Sequence, residues 1–161
     1  MSTAKCLNQQ PRAALAAPGV LIAIALGAAT GALGRETVCA LLNPHLESGG
    51  FPLGTLVANL SGAFLLGLMA TWLDRLIRHD LFRPFWESGL IRSYTTLSTF
   101  SLEGLSLIEQ AAWGVFVTYA LLSIGGGLFC ISMGERLGRS IASARGIEVD
   151  DERRDRVEES L

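Results

Sequence analysis

Between Thr95 and Ser101 the chain places five hydroxyl side chains in seven residues: Thr95, Thr96, Ser98, Thr99 and Ser101, with Leu97 and Phe100 between them. At about 100° per residue on a helix, Thr95, Ser98 and Thr99 share one face, and Leu97, Phe100 and Ser101 another. Neutral donors without a row of acidic side chains suit an anion that must give up its water. They also suit a local break in a helix at membrane depth, where freed N–H and C=O groups need partners. Half-helix ends then act as ion sites, N-termini for anions and exposed carbonyls for cations. Phe100 can add the partial positive charge at its ring rim, although its plainer role is packing against a neighbouring helix. Asn59 lies four residues beyond Thr55 and so on the same helical face. Its amide offers two donors and an acceptor, and a lone Asn in a helical bundle commonly serves as interhelical glue.

The elements that hold these groups follow from where the charges are missing. Of 161 residues, half are hydrophobic and only 17% are charged, against about 25% in an ordinary soluble domain. Residues 13–33, 53–73 and 111–133 carry no charge at all. Each reaches the roughly 20 residues that an α-helix needs to cross a bilayer. A soluble enzyme, a nucleic-acid-binding module and a disordered chain are thereby excluded. A secretory signal is disfavoured for the first run, which is long for an h-region and precedes further membrane segments. Segment 85–108 holds Glu87, Arg92 and Glu103 beside the hydroxyl cluster, and hydropathy scores it weakly. Its length and its position between other segments still make it a third membrane span.

The expected architecture is therefore an all-α membrane protein with four transmembrane helices, the third one broken. A polar tail, 1–12, precedes the four-helix membrane domain 13–133, and a charged tail, 134–161, follows. The turn-rich stretch 34–52 joins the first two spans, punctuated by Pro44, Gly49, Gly50 and Pro52. Gly27 and Gly31, four residues apart, permit close helix approach. Arg35 and Arg92 either draw anions into a vestibule or snorkel to the headgroups, and Glu103 caps or pairs near the end of the third segment. Cys6, Cys39 and Cys130 form no C-x-x-C, so neither a disulfide framework nor a thiolate metal site is expected.

Taken together these pieces resemble the Fluc (CrcB) family of small fluoride channels. The matching residues are Gly31, Ala32 and Arg35; the run from Gly54 through Asn59 to Gly62; and Y-T-T-L-S-T-F-S-x-E from Tyr94 to Glu103. Tyr119 sits where the family keeps a tyrosine on its last helix. The resemblance implies two homologous four-helix subunits packed antiparallel, with two narrow pores along their interface. It assigns the fluoride path to Asn59, Ser98, Thr99 and Ser101, with Leu97 and Phe100 at the positions of two pore phenylalanines. It also implies a central structural sodium ion held by the backbone carbonyls of Arg92 and Thr95. The chain departs from the family pattern twice: Leu97 replaces a phenylalanine, and Arg92 replaces a glycine with its freedom at φ > 0.

With four spans, both tails and the central loop lie on one side. Lys5, Arg12, Arg75, Arg78, Arg83, Arg136, Arg139, Arg145, Arg153, Arg154 and Arg156 are all there, eleven of the thirteen basic residues. The positive-inside rule then places both termini in the cytoplasm of a cell-membrane protein. An antiparallel homodimer needs one sequence that inserts both ways, so this bias, with the two departures, favours pairing with an oppositely oriented homologue. A non-conducting subunit of such a pair is the second reading. A small multidrug exporter would need a carboxylate in the first span, which 13–33 lacks. Intramembrane protease chemistry lacks a histidine within a span to activate a hydroxyl. The protein is thus expected not to be an enzyme and to take fluoride, lipid and a second subunit as its partners.

Overall fold

The helices form where apolar residues run long enough to bury or to face lipid, with glycine wherever two backbones must meet. The computed structural model describes residues 18–43, 50–73 and 81–144, and among these there is no strand. Helix α1 is Pro18–Leu42 and α2 is Leu53–Leu68, which continues in wider π geometry over Met69–Leu73. Helix α3 is π-helical over Pro84–Ile91 and runs on through Arg92–Tyr94. Helix α4 is Ser98–Glu109, and α5 is Trp113–Ala144. Three stretches are long and apolar enough to span a membrane: Pro18–Leu42, Leu53–Thr71 and Trp113–Ala144. The more polar α3–α4 unit completes the bundle.

Helix α1 does not stop with its charge-free stretch. It continues through Arg35 and Glu36, so the connection expected over 34–52 is in fact helical to Leu42. The charges are tolerated because they are used. Arg35 donates to the Ser93 carbonyl at 3.2 Å and lies 3.1 Å from the Glu36 carboxylate. The tail 1–12, the loop residues Arg75 and Arg78, the C-terminal arginines from Arg145 onward, and Cys6 lie outside the described residues. Cys39 and Cys130 are free thiols.

Two seams hold the bundle. On α1, a Cβ at Gly27 would strike the Phe85 carbonyl and one at Gly31 the Leu90 carbonyl, while Gly89 of α3 lies against the backbone of Ile24 and Gly27. The small pair noted in the sequence is therefore the α1–α3 crossing. The second seam joins α2 to α5, with Gly67 against the Ile131 carbonyl and Gly134 against the Phe64 carbonyl. In lipid, helices gain little from hydrophobicity alone, so close backbone packing of this kind supplies much of the cohesion. Helix α4 turns into α5 at Ala111, which adopts φ 55°. The Ala112 N–H reaches back to the Leu107 carbonyl at 2.9 Å, closing the helix end.

Candidate functional site

The helical path breaks at three residues, Thr95, Thr96 and Leu97, between Arg92–Tyr94 and Ser98–Glu109. Thr95 is extended at φ −79°, ψ 150°. An unbroken helix would send the Thr96 N–H to the Arg92 carbonyl. Here it goes instead to Asn59 Oδ1 at 2.8 Å, and Asn59 Nδ2 donates to the Thr96 carbonyl at 3.0 Å. One side-chain amide thus satisfies both backbone groups of the residue at the break. Thr96 Oγ1 in turn accepts the Thr99 N–H at 3.2 Å, as a capping hydroxyl does at a helix start. Thr96 Oγ1 also donates to Thr99 Oγ1 at 3.1 Å and lies 3.2 Å from Ser98 Oγ. Gly62 of α2 makes room for the Thr95 side chain.

A groove of about 710 Å³ opens on this break. Asn59, Thr95, Thr96, Leu97, Phe100 and Ser123 line it, together with Glu87 and Arg92. Leu97 is 76% exposed there. Phe100 lies with its ring centre 4.9 Å from that of Tyr119, tilted 42°. Among the described residues, the buried Ser123 hydroxyl has no hydrogen-bond partner. It is the groove residue that sequence reasoning missed. Its signal was available: a small polar residue four positions after Tyr119, on the same face of an otherwise apolar helix.

The remaining candidates are placed differently. Ser98 and Ser101 are exposed, and the Ser101 hydroxyl is given to the Leu97 carbonyl at 2.9 Å. Tyr119 is fully buried behind Phe100 rather than lining the groove. Its hydroxyl donates to Glu103 Oε2 at 2.7 Å, and the buried Thr55 hydroxyl donates to Glu103 Oε1 at 2.7 Å. Cys39 Sγ lies 3.7 Å from Thr55 Oγ1. Glu103 therefore pairs rather than caps, tying α4 to α2 and α5 from the middle of α4. Its place was hard to see in the sequence, because Thr55, Glu103 and Tyr119 meet only through tertiary packing.

The backbone of Arg92 is right-handed helical, at φ −65° and ψ −29°. This position does not use the positive φ that glycine would permit, so its arginine causes no backbone strain. With the Thr96 N–H diverted to Asn59, the Arg92 carbonyl is released from its helical donor, and the extended Thr95 turns its own carbonyl out of the helix direction. Both are neutral oxygen donors of the sort a hard cation takes.

Residues 22–135 match the family described as CrcB-like protein, Camphor Resistance (CrcB). This chain belongs to the CrcB family. Its relatives include the fluoride-specific ion channel FluC of Deinococcus radiodurans, 37% identical over 71% of this chain and 91% of that protein. The fluoride-specific ion channel FluC 1 of Moorella thermoacetica is 34% identical over 77% of this chain and 89% of its own length. That of Mycobacterium tuberculosis is 36% identical over 78% and 94%. The CrcB family is one of ion channels and not of enzymes, and this member is a multi-pass membrane protein. The matched span contains all of the groove residues named above.

Proposed function

We propose that this CrcB protein is a subunit of a fluoride-specific channel that exports fluoride passively from the cytoplasm, with its pores at the interface of an antiparallel subunit pair. The observation that carries the reading is the break itself. Asn59 holds the Thr96 backbone open beside a groove that also contains the ring of Phe100 and the unpaired Ser123 hydroxyl. Fluoride is small and strongly hydrated, so a path for it must replace water with close donors. The second N–H of Asn59, the Ser123 hydroxyl and the Phe100 ring edge are such donors. Thr55 and Tyr119 act from behind, since their hydroxyls are committed to Glu103. Both termini face the cytoplasm in this reading, as the basic residues require.

A structural sodium ion fits the same arrangement. The released carbonyls of Arg92 and Thr95 would hold it, and the ion would supply fixed positive charge where two broken helices meet. Exposed Leu97 in place of a phenylalanine supports a second reading, in which the chain conducts only through, or only with, a homologous partner. Purified protein in fluoride-loaded liposomes distinguishes the two. Wild type is expected to release fluoride and not chloride, and Asn59→Asp to slow release by about tenfold or more by placing a negative charge on the path. Absence of fluoride release from wild type alone, with release restored by an oppositely oriented homologue, would favour the second reading.

A further inference from the structure

The two carbonyls freed at the break, those of Arg92 and Thr95, are neutral. Among the described residues no three acidic, histidine or cysteine side chains gather to hold a metal ion. A cation there is held by carbonyl dipoles, so a full charge nearby has a large effect on how tightly it binds. The charges around the break are not equally available. Glu87, which shares the groove, lies 2.8 Å from Arg83. Arg35, which donates to the Ser93 carbonyl, lies 3.1 Å from Glu36. Each pair largely cancels at a distance. Arg92 has no such partner: its side chain is exposed in the groove, and among the described residues no hydrogen bond or ion pair engages it.

This uncompensated guanidinium is tethered to one of the two carbonyls. Bond lengths of about 1.5 Å keep its charge within roughly 9 Å of the Arg92 carbonyl oxygen, however the side chain turns. A hard cation sits about 2.4 Å from a carbonyl oxygen, so the two like charges are never more than about 11 Å apart. At an effective dielectric of about 20, repulsion over that distance weakens cation binding about tenfold for each arginine. The backbone takes nothing from the site, since Arg92 keeps the right-handed φ of −65°. We propose that the Arg92 side chain sets the strength of the cation site at the break, weakening its hold on a monovalent cation about tenfold and so making the ion exchangeable. The inference rests on the sodium site of the proposed function and adds what this chain's own arginine does to it. The same guanidinium keeps a positive charge beside the groove whether or not a cation is bound, which favours anions there.

The test is thermal melting of the purified full-length protein in detergent, as sodium chloride replaces N-methylglucamine chloride at constant ionic strength. An ion that binds only the folded protein raises the melting temperature once its concentration passes its Kd. Arg92→Met keeps a long side chain without the charge, and Arg92→Lys keeps the charge without the planar fork. Arg92→Met is expected to respond at a sodium concentration about tenfold below that of wild type, and Arg92→Lys at the wild-type concentration. Arg92→Gln repeats the uncharged measurement should the methionine variant not fold. A wild type with no response beside an uncharged variant that responds supports the proposal equally. The same response in every variant, or a weaker one in the uncharged variants, overturns the proposal and leaves the sodium site standing. So does a lysine variant that behaves like methionine, because shape and not charge would then set the affinity. No response in any variant overturns the proposal together with the sodium site. Melting is read without fluoride, so a protein that behaves as described yet releases no fluoride from liposomes counts against the proposed channel alone.

Discussion

Two polar clusters sit within one bundle and are built to opposite ends. At the helix break, Asn59 and Thr96 exchange two hydrogen bonds beside an open groove, and the Ser123 hydroxyl nearby is left with none. About two turns further along α4, Thr55 and Tyr119 close on Glu103 with 2.7 Å hydrogen bonds in a sealed core. Phe51 and Phe100 both pack on the Tyr119 ring, with ring centres 5.7 Å and 4.9 Å away. The first cluster leaves donor capacity unspent; the second spends everything on itself. A polar group in a membrane protein is expensive in either place, but only the one with spare donors facing a cavity has something to offer an ion. The charged residue, Glu103, is consumed within the core, while the neutral amide of Asn59 keeps a second N–H beside the groove.

Removing the carboxylate is the most disruptive way to break this contrast. Glu103→Ala would strand two buried hydroxyls at once, at a cost of about 1–3 kcal/mol for each group. The expected outcome is a large fall in the melting temperature of the detergent-solubilised protein, partly recovered in Glu103→Gln, which keeps an acceptor for one of them. Next comes Asn59→Leu, which leaves the N–H and C=O of Thr96 without their partner. A loss of about 2 kcal/mol is expected, limited by access of water from the groove. Asn59→Asp keeps the acceptor for Thr96 and so separates the two roles: stability should fall less while fluoride release falls more. The smallest change sharpens the comparison most. Ser123→Ala removes a hydroxyl that bonds to nothing, so stability should shift by no more than about 0.5 kcal/mol. Slower fluoride release at unchanged melting temperature would mark Ser123 as part of the path. A clear loss of stability would place it with the scaffold instead.

Much of this was readable from the residues. Three helices announced themselves as charge-free runs, and the family was recognisable from Tyr94–Glu103 and Asn59. Clustered hydroxyls also pointed to a region where helix hydrogen bonding gives way. Other features were not readable, for particular reasons. That α1 runs on past Arg35 to Leu42 was hidden, because Arg35 is accommodated by the Ser93 carbonyl, a partner 58 residues away. Glu103 looked like an end residue because nothing local says that Thr55 and Tyr119 will converge on it. Ser123 was passed over although it lies four residues after Tyr119, because nothing along its own helix says that this face borders the break. Arg92 looked incompatible with a glycine position, yet its φ of −65° makes no use of glycine's freedom.

The sequence by itself determined the class of protein, the apolar runs long enough to span a membrane and the polar residues that lie within them. Those are properties of composition and of spacing along one chain, and the bilayer reads them directly through the cost of burying charge. Only the tertiary structure decided which polar residues are consumed and which remain free. Hydrogen-bond satisfaction is settled between helices, where Asn59 reaches the break and Glu103 gathers its two donors, and no local pattern in either helix contains that pairing.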